Sequence, residues 1–132
     1  MSRKIRMGMI GGGRGAFIGA IHRMAAGIDG QIELVAGALH HDPEVAVLSG
    51  QDLFLAPERI YRNYNELFEK EKQLPEDQRI DFVSIVTPNF VHFDPARLAL
   101  QNGFNVVCEK PLSFSLSEAL ELEKLVKDSG LV

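Results

Sequence analysis

The sequence predicts an α/β fold of three layers, with helices on both faces of a doubly wound parallel sheet, in a single domain. Three observations carry this. Short apolar runs alternate along the chain with longer stretches at helical spacing, and that rhythm calls for parallel strands joined by crossover helices. Several of the runs, such as Phe82–Val86, read as near-continuous apolar stretches, the pattern of strands buried on both faces. The length, 132 residues, suits one domain with a real core.

Taken in order, residues 5–10 form an apolar run closed by glycines, a buried-strand pattern. Residues 15–26 place Phe17, Ile21, Met24 and Ala25 at helical spacing, and Gly27 and Gly30 close the segment. Residues 32–39 are the second strand. Asp42 then caps a helix with Pro43 at its first position, running to about residue 48. Residues 59–61 read as a weak third strand, and Asn65 opens a helix through Leu67 and Phe68. The stretch 69–79 is charged with mixed signs and is expected to be a solvated loop. Residues 81–87 form a strand broken by Pro88, followed by a helix over Phe93–Gln101 that stops at Asn102-Gly103. Residues 104–108 are a fifth strand. The last helix, 115–128, opens on Ser115-Leu116-Ser117-Glu118, a capping-box pattern, and ends at Ser129-Gly130. No internal repeat or low-complexity segment interrupts this order.

Composition removes several classes of function. An apolar fraction of 45% and a charged fraction of 24% are those of a globular domain. No stretch approaches the about 18 consecutive apolar residues of a membrane span. The basic start is followed by too short an apolar run for a signal peptide, so a cytoplasmic location is expected. The single cysteine, Cys108, excludes an internal disulfide and a cysteine-based zinc site. A net charge of −4 gives no support to nucleic-acid binding. An anionic ligand remains open, because backbone N–H groups bind phosphate without net positive charge.

One motif points to such a ligand. Gly11-Gly12-Gly13-Arg14-Gly15-Ala16 follows the first strand and opens a helix, with a second strand beginning near Ile32. In the frame G-x-G-x-x-G/A, Gly11 permits the tight turn and Gly13 lets a phosphate approach the backbone. Ala16 then lets the helix pack close to the strand. The context makes this a Rossmann-type dinucleotide loop, with Arg14 and Gly15 completing it. A P-loop fits worse, because the Lys and Ser/Thr that close a Walker A sequence are missing. The position that meets the adenosine ribose is Leu39 or His40, and neither is a carboxylate. Without an acid there a 2′-phosphate is not repelled, so the dinucleotide is NAD or NADP, with NADP tolerated or preferred through His40 or His41. The competing reading is two exposed loop histidines. A metal site at the pair lacks a third ligand.

Two further stretches fall where parallel strands should end, the edge at which open α/β sheets bind ligands. They are Thr87-Pro88-Asn89 followed by His92, and Glu109-Lys110-Pro111 after Cys108. With the glycine loop, this ordered set closely resembles the Gfo/Idh/MocA family, and the resemblance runs from about Lys4 to Val132. Members of that family are NAD(P)-dependent oxidoreductases acting mainly on sugars, cyclitols and related compounds, with a second domain that carries much of the substrate site. The resemblance implies that Thr87, Pro88 and Asn89 line the cofactor cleft and that His92 helps hold their loop. It places Glu109 near the nicotinamide ribose, Lys110 between nicotinamide and substrate as the catalytic residue, and Pro111 in the turn that aims it. A lysine there makes chemical sense, since it orients the reacting hydroxyl and stabilises developing negative charge.

Two tempting residues read otherwise. Cys108 closes an apolar strand and is expected to be a small buried hydrophobe. His22, inside the first helix, is expected to be partly exposed or a satisfied packing residue. Residues 1–132 thus read as an NAD(P)-binding domain that stops before a last strand and a substrate domain. An uncovered sheet edge favours self-association, so a homo-oligomer is expected, with weak dinucleotide binding and no turnover from these residues alone. A sensor that binds NAD(P) without chemistry is the alternative, and the Glu109-Lys110-Pro111 segment argues against it. The same stretches argue against S-adenosylmethionine or another nucleotide.

Overall fold

Four parallel strands run through the centre of the chain, in the order β2-β1-β3-β4, in a computed structural model that describes residues 2–132. They are β1 (Ile5–Gly11), β2 (Ile32–Ala38), β3 (Phe82–Val86) and β4 (Asn105–Cys108). The helices are α1 (Ile18–Gly27), α2 (Pro43–Asp52), α3 (Tyr64–Gln73), α4 (Phe93–Gln101) and α5 (Leu116–Ser129). The chain leaves β1 to one side for β2 and to the other for β3, so the topological switch lies between β1 and β3.

Each face of the sheet buries a different set of side chains. Ile10, Val83 and Ile85 pack with Leu67, Phe68, Ala96, Ala99, Leu100 and Leu122 from α3, α4 and α5. Met7, Met9 and Val86 face the other way, against Leu39, Leu55 and the partly buried Ile18 and Ala26 of α1. Helix starts follow local chemistry. The Asp42 carboxylate accepts the N–H groups of Glu44 and Val45, and Asn63 accepts that of Glu66. The Ser115 hydroxyl accepts from Glu118 N–H, while Glu118 reaches back to the N–H of Phe114. Gly130 ends α5 in the left-handed region at φ 72°. Beyond it, Val132 lies beside β4, its carbonyl accepting the N–H of Val106. Among the described residues, no helix is long and apolar enough to cross a membrane.

Two expectations need correction. Residues 59–61 do not form a full strand: only a single parallel bridge joins Ile60 to Gly37, so the sheet has four strands rather than five. Pro57–Arg59 is instead a short 3-10 turn, and the proline inside it leaves too little chain to extend the pairing. The stretch 69–79 is not a solvated loop throughout. α3 continues to Gln73, and Glu71 on it is fully buried. Arg59 grips that carboxylate with two N–H···O bonds of 2.7 and 2.9 Å. The Tyr61 hydroxyl donates to it at 2.8 Å and the Ile80 N–H at 3.1 Å. Burial, and then this carboxylate, push the Tyr61 phenol well above its ordinary range. Charge along the sequence thus hid an internal ion pair.

Removing one partner of such a pair strands a buried charge. Arg59→Ala should therefore destabilise the protein by about 3–5 kcal/mol, read as the shift of its urea midpoint at unchanged slope.

The Arg3 guanidinium, bonded through both nitrogens, followed by the Arg6 N–H, holds Asp81 below the usual carboxylate range. Lys70 and then the Arg62 N–H act likewise on Glu66, and Arg97 and then the Tyr64 hydroxyl on Asp94. A folded-state value below the unfolded one adds stability above the ordinary carboxylate range. That stability is lost as pH falls through the folded value. Thermal midpoints should hold near neutrality and drop steeply below about pH 4. Asp81→Asn should lower the neutral midpoint and flatten the fall.

Candidate functional site

The glycine loop, the Thr87 turn and the Glu109–Lys110 turn meet at one rim because strand register puts them there. Gly11 pairs with Val86, Ile85 pairs with Cys108, and the Glu109 N–H donates to the Ile85 carbonyl. The carboxyl ends of β1, β3 and β4 are therefore level, beside the switch point, where open α/β sheets bind ligands.

Within the loop the glycines divide the work differently from the expected frame. A side chain at Gly11, at φ 79°, would collide with the backbone of Thr87, so this glycine does permit the turn against β3. The close approach of helix to strand is made by Gly12 and Gly19, whose α-carbons face one another without room for a Cβ. Ala16, assigned that role from the sequence, is exposed. Gly13 lies against the Leu39 carbonyl and the Ser49 hydroxyl, where a Cβ would come within 2.6 and 2.5 Å. Its N–H donates to Leu39 and that of Arg14 to Ser49 Oγ, tying the loop to β2 and α2. Gly15 is the open position: it has φ 79° and nothing within 4 Å of a built Cβ. Among the described residues no side chain caps α1, and its first turn carries no acidic residue. Its leading N–H groups, with the positive end of the helix dipole, are left for an outside anion.

The end of β2 carries the second part. Leu39 turns its side chain into the core, so of the two positions named there only His40 presents a side chain at the rim. The Asp42 N–H donates to His40 Nδ1 at 3.0 Å, which leaves Nε2 as the protonated nitrogen. His41 stacks on it with ring centroids 4.4 Å apart. Arg14 is bound to Asp52 by two N–H···O bonds of 2.6 and 2.9 Å.

Pro88, Asn89 and Lys110 are exposed, and Thr87 is half-buried with its hydroxyl donating to the Val91 carbonyl. His92 is fully buried and spans the carbonyls of Thr87 (2.9 Å) and Pro111 (2.7 Å). Both are acceptors, so the ring donates to at least one, and it links the two turns. Its place in the site is behind them. The Lys110–Pro111 peptide is cis. Burial, and then the neighbouring Glu109 carboxylate, push the Cys108 thiol up to about 11, so it carries little thiolate near neutrality.

Sequence reasoning missed one contact. His22 reaches from α1 to Glu109, its Nε2 2.7 Å from a carboxylate oxygen, while Nδ1 meets the Ser84 hydroxyl at 2.9 Å. The line Ser–His–Glu looks like a nucleophilic triad, but Ser84 is buried inside β3 and has no access to a substrate. His22 is partly exposed and satisfied, as expected; its partner 87 residues away left no sequence signal. Hollows of about 380 and 520 Å³ open on the flanks, and neither includes a residue of these three segments.

Comparison with known proteins agrees with this geometry. A family model described as GFO_IDH_MocA, an oxidoreductase family with an NAD-binding Rossmann fold, matches residues 5–132. The uncharacterised oxidoreductase YfiI of Bacillus subtilis is 37% identical, over 100% of this chain and 33% of its own. Levoglucosan dehydrogenase of Pseudarthrobacter phenanthrenivorans is 30% identical over 98% and 32%. An inositol dehydrogenase homologue of Azotobacter vinelandii, solved with NAD+, superposes with a TM-score of 0.94 at 44% identity, over 100% of this chain and 33% of that one. The same homologue has been solved with NADH and myo-inositol. The chain spans about a third of the length of these relatives. With its fold, its glycine loop and the match over residues 5–132, the chain belongs to the Gfo/Idh/MocA oxidoreductase family, as a Rossmann NAD-binding domain.

Proposed function

We propose that the protein carrying this chain moves hydride between NAD(P) and a hydroxyl-bearing or keto carbon of a sugar, cyclitol or related polyol. The observation that carries the reading is the levelling of three strand ends, which brings the open glycine loop and Lys110 to one rim. The cradle fits a dinucleotide: Gly15 has space where a side chain would stand, and the first turn of α1 offers N–H groups without a competing cap.

In this reading Gly11–Ala16 would hold the pyrophosphate and His40 the adenosine ribose. Thr87, Pro88 and Asn89 would line the cleft, and Glu109 would hold the nicotinamide ribose. The nicotinamide supplies the hydride acceptor or donor. Lys110 would stand between the ring and the substrate oxygen, where its ammonium would orient a hydroxyl and stabilise developing negative charge on that oxygen. Substrate recognition and the remaining acid/base groups fall to chain outside residues 1–132. The carbohydrate-like substrate class rests on the names of relatives such as levoglucosan dehydrogenase and the inositol dehydrogenase homologue. A pure NAD(P) sensor has no use for an ammonium at the reacting carbon.

Cofactor choice turns on the end of β2. The Asp42 carboxylate is committed to capping α2, and His40 presents a protonated Nε2 instead of an acid. This favours tolerance of the 2′-phosphate of NADP.

Lys110→Ala in the full-length protein should cut turnover by about 10²–10⁴-fold with little change in NADH affinity. Unchanged turnover would remove the assignment. Fluorescence titration should give NADPH an affinity comparable with that of NADH, and His40→Ala should weaken NADPH more than NADH. A strong preference for NADH in the unaltered protein would exclude NADP.

A further inference from the structure

We propose that His22 is a positioning residue for this site: it fixes the Glu109 carboxylate and, through it, the direction of Lys110. This rests on the oxidoreductase reading above and adds to it a residue on the first helix.

Glu109 is held at both oxygens. Oε2 is 2.7 Å from His22 Nε2, and Oε1 accepts the N–H of Lys110 at 3.0 Å. The hydrogen bond to His22, then that from the Lys110 backbone, keep the carboxyl below its usual range, so it stands ionised and accepts only. Nε2 of His22 therefore carries a proton. In the neutral ring Nδ1 then accepts from the Ser84 hydroxyl. Ser84 lies within β3, nine-tenths and more buried, and gives the imidazole a fixed point on the sheet. The chain of contacts runs from the rigid strand to the ring, from the ring to the carboxylate, and from the carboxylate to the N–H of Lys110. Each carboxylate oxygen keeps acceptor capacity that these two bonds do not use. His22 reaches this place because the Gly12–Gly19 contact lays α1 directly on the sheet.

His92 holds the same turn from behind, at the Pro111 carbonyl. The two histidines have separate effects. His92 joins the Glu109–Pro111 turn to the Thr87 turn, and His22 sets the rotation of the carboxylate inside it. Losing His22 should therefore leave the fold and the dinucleotide loop in place and loosen the aim of Lys110.

Three versions of the full-length protein test this: His22→Leu, which keeps bulk and loses the donor, His22→Gln, which keeps a donating N–H, and Ser84→Ala. The readouts are kcat, the KM for the dinucleotide, and hydrogen exchange at the Lys110 amide. His22→Leu should lower kcat by about 10–100-fold, with a smaller change in KM and faster exchange at Lys110. His22→Gln should recover part of both losses, and Ser84→Ala should shift both in the same direction by less. Unchanged kcat and exchange in His22→Leu overturns the proposal, as does a Gln version no better than Leu. If His22→Leu does not fold, the absence of any shift in Ser84→Ala overturns it. Lys110→Ala run alongside separates the two levels. If it keeps full turnover, the oxidoreductase assignment of Lys110 fails. If it loses turnover while His22→Leu does not, only the role of His22 fails.

Discussion

The structure depends on a close approach of two glycines. Gly12, just past β1, and Gly19, at the start of α1, touch through their α-carbons: a Cβ at Gly19 would collide with the Gly12 α-carbon, and one at Gly12 would crowd Gly19 at 3.0 Å and the Met9 and Val86 side chains at 2.9 Å. That approach seats α1 on the sheet at the switch point. The loop between them is held down by two backbone donors, from Gly13 to Leu39 and from Arg14 to Ser49, while Gly15 is left standing in the open. Small residues thus act in three ways here: one to turn, a pair to pack, and one to leave room.

The same seating brings polar side chains together across long stretches of sequence. Glu109, at the end of β4, is met by His22 from α1, and the turn it belongs to is met by His92 from the segment after β3. Turns at strand ends are ordinarily the mobile part of an α/β domain, because few neighbours constrain them. Here, two imidazoles anchored on carbonyls, a buried hydroxyl and a carboxylate restrict the turn that presents Lys110. In the proposed reading, in which Lys110 acts at a reacting atom, such bracing would serve the chemistry, because efficiency falls quickly when aim drifts.

Away from the site, the buried Glu71 shows how a charged segment contributes to the fold. Its four hydrogen bonds tie α3 to Arg59, Tyr61 and the approach to β3, where the segment around Ile60 pairs by only a single bridge. An ion pair whose buried carboxylate is bonded at both oxygens holds a connection that strand pairing does not.

Most of the fold was legible in the residues alone. Short, mostly apolar runs marked β1, β2, β3 and β4. Asp42-Pro43 and Ser115 with Glu118 marked helix starts, because capping needs only neighbours a few residues away. The glycine loop, Thr87-Pro88-Asn89 and Glu109-Lys110-Pro111 were legible as motifs for the same reason: each is a local arrangement with its own turn chemistry. Tertiary structure alone decided which glycine faces open space, that Leu39 points inward beside a half-buried His40, that Glu71 is buried, and that His22 meets Glu109. Those outcomes depend on which backbones approach closely and which charges find partners far along the chain. Distance in space, set by the register of four strands and one helix–strand contact, is the quantity a linear sequence does not contain.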